Sequence, residues 1–216
     1  MLQEQQRIGK DAWTATAYRQ SPLVEPAGLA FLVGRLEVTA FLRRGTDFHI
    51  SLRRREPAPA SPLRARDEGI IESLLAGRSQ KQISYELGVS ATTVSEAIQR
   101  VLRRVGLARW EHLVAIGCAL RAGERGESDG EWLDHSSANP LQLFATVSPG
   151  AISRLTVAEL DIALHIIDGW SSARISRSRG TSLRTIANQI SSASQKLRVR
   201  GRLELILRLF CNDSPS

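Results

Sequence analysis

The feature that most restricts this chain is a repeat. Moved along itself by 92 positions and without any gap, the sequence aligns Leu63 with Leu155, Ile70 with Ile162, Gly77 with Gly169 and Ser79 with Ser171. The same shift matches Ile83 with Ile175, Gly88 with Gly180, Ser90 with Ser182, Thr93 with Thr185, Ile98 with Ile190 and Leu113 with Leu205. Conservative pairs fill in between, such as Leu75 with Ile167, Val94 with Ile186 and Arg104 with Lys196. The identities fall on glycines, hydroxyl caps and apolar positions, the residues that end helices and fill cores, so one helical unit is expected twice. A chain of 216 residues holds two such small units and little more.

Within the first unit, Ile70, Ile71, Leu74 and Leu75 form a helical stripe over Asp67 to Ala76 that stops at Gly77, a residue suited to a left-handed cap. Ser79 and Gln82 make an S-x-x-Q capping box for a short second helix carrying Ile83 and Leu87, which Gly88 ends. Ser90 is placed to accept the Thr93 amide and cap a third helix. Val94, Ile98, Val101, Leu102 and Val105 line the inner side of that helix, and Ser95, Glu96, Gln99, Arg100 and Arg103 the outer. A fourth helix is expected from Trp110 to Arg121, with Leu113, Val114, Ile116 and Gly117 inward.

Two helices joined at Gly88, Val89 and Ser90, the second polar and basic outward, form the helix-turn-helix arrangement that lays its second helix in the major groove. The run from Leu63 to Val114 resembles the LuxR-type four-helix DNA-binding domain: Arg66-Asp67 matches its Arg-Glu start, Gly77 its interhelical glycine, Ile83 to Leu87 its second helix, and Ser90, Thr93 and Val94 its recognition-helix opening. The resemblance implies base-edge contacts from Ser95, Glu96 and Gln99, and DNA-backbone contacts from Thr92, Thr93, Arg100, Arg103 and Arg104. Where relatives usually carry a lysine and a histidine in this helix, Ser95 and Ala97 stand here. Glu96 suits cytosine N4.

The second unit looks like the same domain, more diverged. The same register gives Ala187, Asn188 and Ser191 toward bases, with Asn188 suited to adenine, and Arg184, Gln195, Lys196 and Arg198 toward the DNA backbone. Arg179 replaces Leu87, Thr181 replaces Val89 and Ser194 replaces Leu102. Each sets a polar group where an apolar one would be buried, at a cost of about 1–3 kcal/mol without a partner, so the second unit is expected to be the weaker and the first the principal reader.

Charge agrees with a nucleic-acid partner. The chain carries +7 with a sequence pI of 10.4, and apart from Lys10, Lys81 and Lys196 every Lys or Arg is Arg, the fork-shaped cation suited to phosphate and base edges. Basic blocks over 63–122 and 155–216 flank an acidic one over 123–154. Hydrophobic residues at 42% provide a core, while the polar start and the lack of a long apolar run predict a cytoplasmic protein with no membrane partner. His49, His112, His135 and His165 are isolated, Cys118 and Cys211 have no metal-ligand spacing, and no phosphate-cradle, hydrolase or zincin motif occurs, so neither enzyme nor cofactor is expected.

The expected architecture is mainly α: two tandem four-helix helix-turn-helix modules behind a small N-terminal α+β segment. Residues 1–56 hold the α+β segment, with a hairpin formed by Leu36 to Leu42 and Phe48 to Leu52. Residues 57–122 follow as the first LuxR-like domain, entered through the proline-rich tether 57–62. An acidic linker occupies 123–150, with at most a short docking helix near Leu141 to Ala145, and 151–212 form the diverged second domain. The apolar stretch Leu113, Val114, Ile116 and Leu120 exceeds what a module this small covers, and resemblance makes Trp110 to Arg121 a dimerisation helix, so either a homo-oligomer or packing of one copy on the other is expected. The predicted function is a sequence-specific DNA-binding transcriptional regulator acting on double-stranded DNA. One alternative is a sigma region-four-like module that binds promoters together with RNA polymerase; another is a protein-interaction module whose second copy has lost DNA binding.

Overall fold

The computed structural model describes residues 31, 34–55, 63–124 and 141–210. The tether 57–62, most of the acidic linker and Cys211 lie outside these residues. The described chain is mostly helical, with one small three-stranded antiparallel sheet. Strands β1 (Leu36–Arg44) and β2 (Asp47–Arg54) form the expected hairpin, turning at Gly45 with φ of 61°. Phe48, Ile50 and Leu52 alternate inward and are fully buried, while His49 and Ser51 face the other way.

The stretch expected as a docking helix is instead strand β3 (Leu141–Thr146), paired antiparallel to β2. Leu143 and Ala145 are buried and Phe144 exposed, a period of two that only a strand can satisfy, and β3 occupies an edge that β2 would otherwise leave open. The linker reading of 123–150 therefore fails over its last ten residues. Val147 and Ser148 are buried there, the Ser148 amide donates to the Leu209 carbonyl, and helix α5 (Pro149–Arg154) follows.

The first helical group is α1 (Ala65–Leu75), α2 (Gln80–Glu86), α3 (Ala91–Arg104) and α4 (Trp110–Glu124). Local chemistry sets its ends. The Ser79/Gln82 capping box forms, the Thr93 amide donates to Ser90 Oγ at 3.0 Å, and Gly88 takes a φ of 61° between α2 and α3. Gly117 lets α1 approach closely, since a Cβ there would lie 2.7 Å from Leu75 Cδ2.

The second group is α6 (Val157–Ile167), α7 (Ser172–Arg179), α8 (Leu183–Leu197) and α9 (Gly201–Phe210). The first residues of α6, α7 and α8 each stand 92 positions beyond those of α1, α2 and α3. The turn repeats as well: the Val89 amide donates to Ser84 O at 3.0 Å and the Thr181 amide to Ser176 O at 3.1 Å, and Gly180 matches Gly88 in φ.

The expectation that Arg179, Thr181 and Ser194 damage this core holds for only one of them. Arg179 pairs with Asp161, and Leu87, its counterpart, is itself 42% exposed. Ser194 is half-buried and keeps contact with solvent. Thr181 alone has a buried hydroxyl with no hydrogen-bond partner among the described residues.

The two groups share one hydrophobic core. Helix α4 packs on α9, on β3 and on α6, which buries Leu113, Val114, Ile116 and Leu120. Arg43 of β1 clamps Asp168 at the end of α6, with its Nε 3.0 Å from both carboxylate oxygens and Nη2 2.7 Å from Oδ2. The homo-oligomer expected through Trp110 to Arg121 thus loses its surface, because those apolar side chains are already covered within the chain.

Candidate nucleic-acid interface

Helix α3 turns Val94, Ala97, Ile98, Val101 and Leu102 into the core and leaves Thr92, Ser95, Glu96, Gln99 and Arg103 exposed. The exposed set lies on one face because its members recur at helical spacing. Arg103 extends along this face, its Nε donating to the Gln99 carbonyl at 3.3 Å. Thr93 is half-buried and its hydroxyl is 2.9 Å from that of Ser90, so it belongs to the cap.

Two cations assigned to DNA backbone have other positions. Arg100 folds onto α1, where Nε (3.0 Å) and Nη2 (2.8 Å) donate to both oxygens of Asp67. The Asp67 side chain is buried, and hydrogen bonding from the Arg100 guanidinium, helped by its charge, holds its pKa below the usual carboxylate value against the opposing effect of burial. Arg104 lies over the backbone at Gly34, where a Cβ would come within 2.5 Å of Arg104 Cγ. These two arginines fix α3 in place, and of the expected backbone cations only Arg103 lies on its exposed face.

In the second group Arg184, Ala187, Asn188, Ser191 and Gln195 are exposed on α8. Lys196 instead donates to Glu159 at 2.7 Å, and Ser192 to the other oxygen of that carboxylate, also at 2.7 Å. Glu159 is buried, which works to raise its pKa, but Lys196, Ser192 and the Thr156 amide together outweigh burial and hold it at about 2. Arg198 is exposed, and its backbone forms the left-handed C-cap of α8 at φ 57°, in the position that Gly106 fills at 75° in the first group. Sequence reasoning placed Asp67 only in the Arg66-Asp67 start of the module. The signal it passed over was an acid at the same place in both units, Asp67 and Glu159, each 33 residues before a polar residue on the third helix.

Helix α7 carries further cations. Arg177 is exposed, and the Arg174 guanidinium stacks 4.1 Å above the Trp170 ring. Neither α7 nor α8 contains an acid, whereas α2 and α3 carry Glu86 and Glu96. No group of three or more His, Cys, Asp or Glu among the described residues is arranged to hold a metal ion, and no helix among them is long and apolar enough to cross a membrane.

Residues 61–116 match the GerE family, described as bacterial regulatory proteins of the luxR family. The match spans α1, α2, α3 and the first half of α4. No curated protein and no solved structure matches the chain.

Proposed function

We propose that this chain is a sequence-specific DNA-binding transcriptional regulator, working in the cytoplasm, whose helix α3 enters the major groove of double-stranded DNA. The family match at 61–116 supplies the class of activity, and we assign it to a domain over 57–122. The observation that carries the reading is the outer face of α3: a capped helix, pinned to α1 by Arg100 and Asp67, that leaves Thr92, Ser95, Glu96, Gln99 and Arg103 outward over three turns. Ser95, Glu96 and Gln99 read base edges near the helix start, and Thr92 and Arg103 meet the sugar-phosphate wall. Arg100 and Arg104 act as positioning residues. A second domain of the same kind, diverged, spans 151–212, with Asn188 and Ser191 toward bases and Arg184 toward the DNA backbone. The luxR-family match and the long α4 favour this reading over a sigma-like module that needs RNA polymerase.

A binding titration against salt tests it. Contacts to phosphate release counterions, so Arg103→Ala should weaken binding about equally on all sequences and flatten the slope of log K against log salt by about one. Glu96→Ala should leave the slope unchanged and alter the preferred base at one or two positions, by about 1–3 kcal/mol of discrimination. If wild type binds DNA and Arg103→Ala changes neither affinity nor slope, α3 does not lie in the groove.

A further inference from the structure

We infer that a single chain carries an internal two-fold axis and reads, as a monomer, two unlike half-sites in inverted orientation. The inference rests on the DNA-binding reading above and adds to it a second reading helix and a geometry. Its first support is the register between β2 and β3. Ile50 lies opposite Leu143 and Ser51 opposite Gln142. The inward phase of the strands makes buried Ile50 equivalent to buried Leu143 and Leu52 to Ala145, one residue off the 92-residue shift that aligns the helices. Ile50 therefore faces its own equivalent, and residues equally far on either side pair reciprocally, Phe48 opposite Ala145 and Leu52 opposite Leu141. Antiparallel strands meet in this way when a two-fold axis normal to the sheet passes through the facing pair Ile50 and Leu143, as in an isologous dimer.

The same axis orders the helices. Helix α4 packs on its equivalent, α9. The equivalent glycines Gly77 and Gly169 each take a side chain from the opposite half: Leu207 Cδ1 lies 3.0 Å from where a Gly77 Cβ would stand, and Arg109 crosses Gly169 and donates to its carbonyl. Neither α3 nor α8 has its main packing across this junction, since α3 packs on α1, α2 and α4 and α8 on α5, α6, α7 and α9. Both outward polar faces stay exposed, and an axis that exchanges the halves reverses the sense in which the two helices meet a duplex. The half-sites are then inverted. They are also unlike, because Ser95, Glu96 and Gln99 in one helix correspond to Ala187, Asn188 and Ser191 in the other.

The probe is a random-sequence DNA duplex library, selected with the full chain, followed by the mass of the complex on the selected duplex. The expected result is two different sequence blocks in inverted orientation bound by one chain. Asn188→Ala should lower discrimination about ten-fold at one or two positions of one block and leave the other unchanged, and Glu96→Ala should do the converse. A single block, two blocks in the same orientation, two chains on one repeat, or an Asn188→Ala selection identical to wild type would each overturn the inference while leaving α3 as a reader. Failure of wild type to enrich any sequence would instead overturn the DNA-binding reading itself.

Discussion

The two halves of this molecule solve one problem with different residues. In the first, a buried aspartate on α1 is too short to reach beyond the facing turn of α3, and the long Arg100 comes to it. In the second, the acid is the longer Glu159, the position equivalent to Arg100 holds Ser192, and Lys196 one turn on supplies the charge. Glu159 also closes a capping box with Thr156, whereas α1 begins at Arg64 with no side-chain cap. What is kept is a buried acid that ties the first helix to the third. Identity matters less than the summed reach and charge of the group, because a buried carboxylate has to be satisfied by whichever donors are near.

The hardest way to break the comparison is through the junction. Leu113 and Leu205 are equivalent and both fully buried where the halves meet. Leu113→Ala and Leu205→Ala should each cost about 2–5 kcal/mol in chemical denaturation, and both should unfold the whole described structure in one transition. Separate transitions for the two halves would show that the shared core does not couple them.

A smaller effect separates the two acid clusters. Arg100→Ala leaves Asp67 buried with no other side-chain donor among the described residues, at a cost of about 2–3 kcal/mol, below the range for a fully buried pair because Arg100 keeps 34% of its side chain in solvent. Lys196→Ala should cost about 1 kcal/mol, since Glu159 keeps Ser192 and the Thr156 amide. Acid titration sharpens this. The folded pKa of Glu159, about 2, lies below its ordinary 4.5. Its contribution is therefore complete above about pH 4.5 and is lost as pH falls toward 2. Glu159→Gln should flatten the acid limb of stability in that window. An unchanged limb would mean that Glu159 does not govern it.

The smallest effect concerns Arg179. Its pairing with Asp161 and its contact with solvent make Arg179→Leu worth less than about 1 kcal/mol in either direction, read as a nearly unchanged thermal midpoint. A rise of many degrees would restore the view that the second half is merely a damaged copy of the first.

Local chemistry was legible in the chain alone. The helix stripes, the caps at Ser79, Ser90 and Ser182, the left-handed glycine at Gly77, the helix-ending Gly88 and its match Gly180, the hairpin about Gly45 and the 92-residue repeat all lie within a few residues of their causes or follow from direct alignment. So did the outward set Ser95, Glu96, Gln99 and Asn188, because helical period fixes which side chains share a face. What only the tertiary structure decided was pairing at a distance. Leu141 to Ala145 is a short apolar stretch that fits helix or strand, and the open edge of β2, some 90 residues away, made it a strand. Arg100 and Lys196 have no local property that sets them apart from Arg103; buried acids on α1 and α6 drew them inward. For Leu120 the sequence left open whether a second chain or the other copy supplies the cover, and elements beyond residue 140 supply it. The side-chain period was written locally in each element, and the choice of partner depended on which edge, acid or apolar face folding brought opposite.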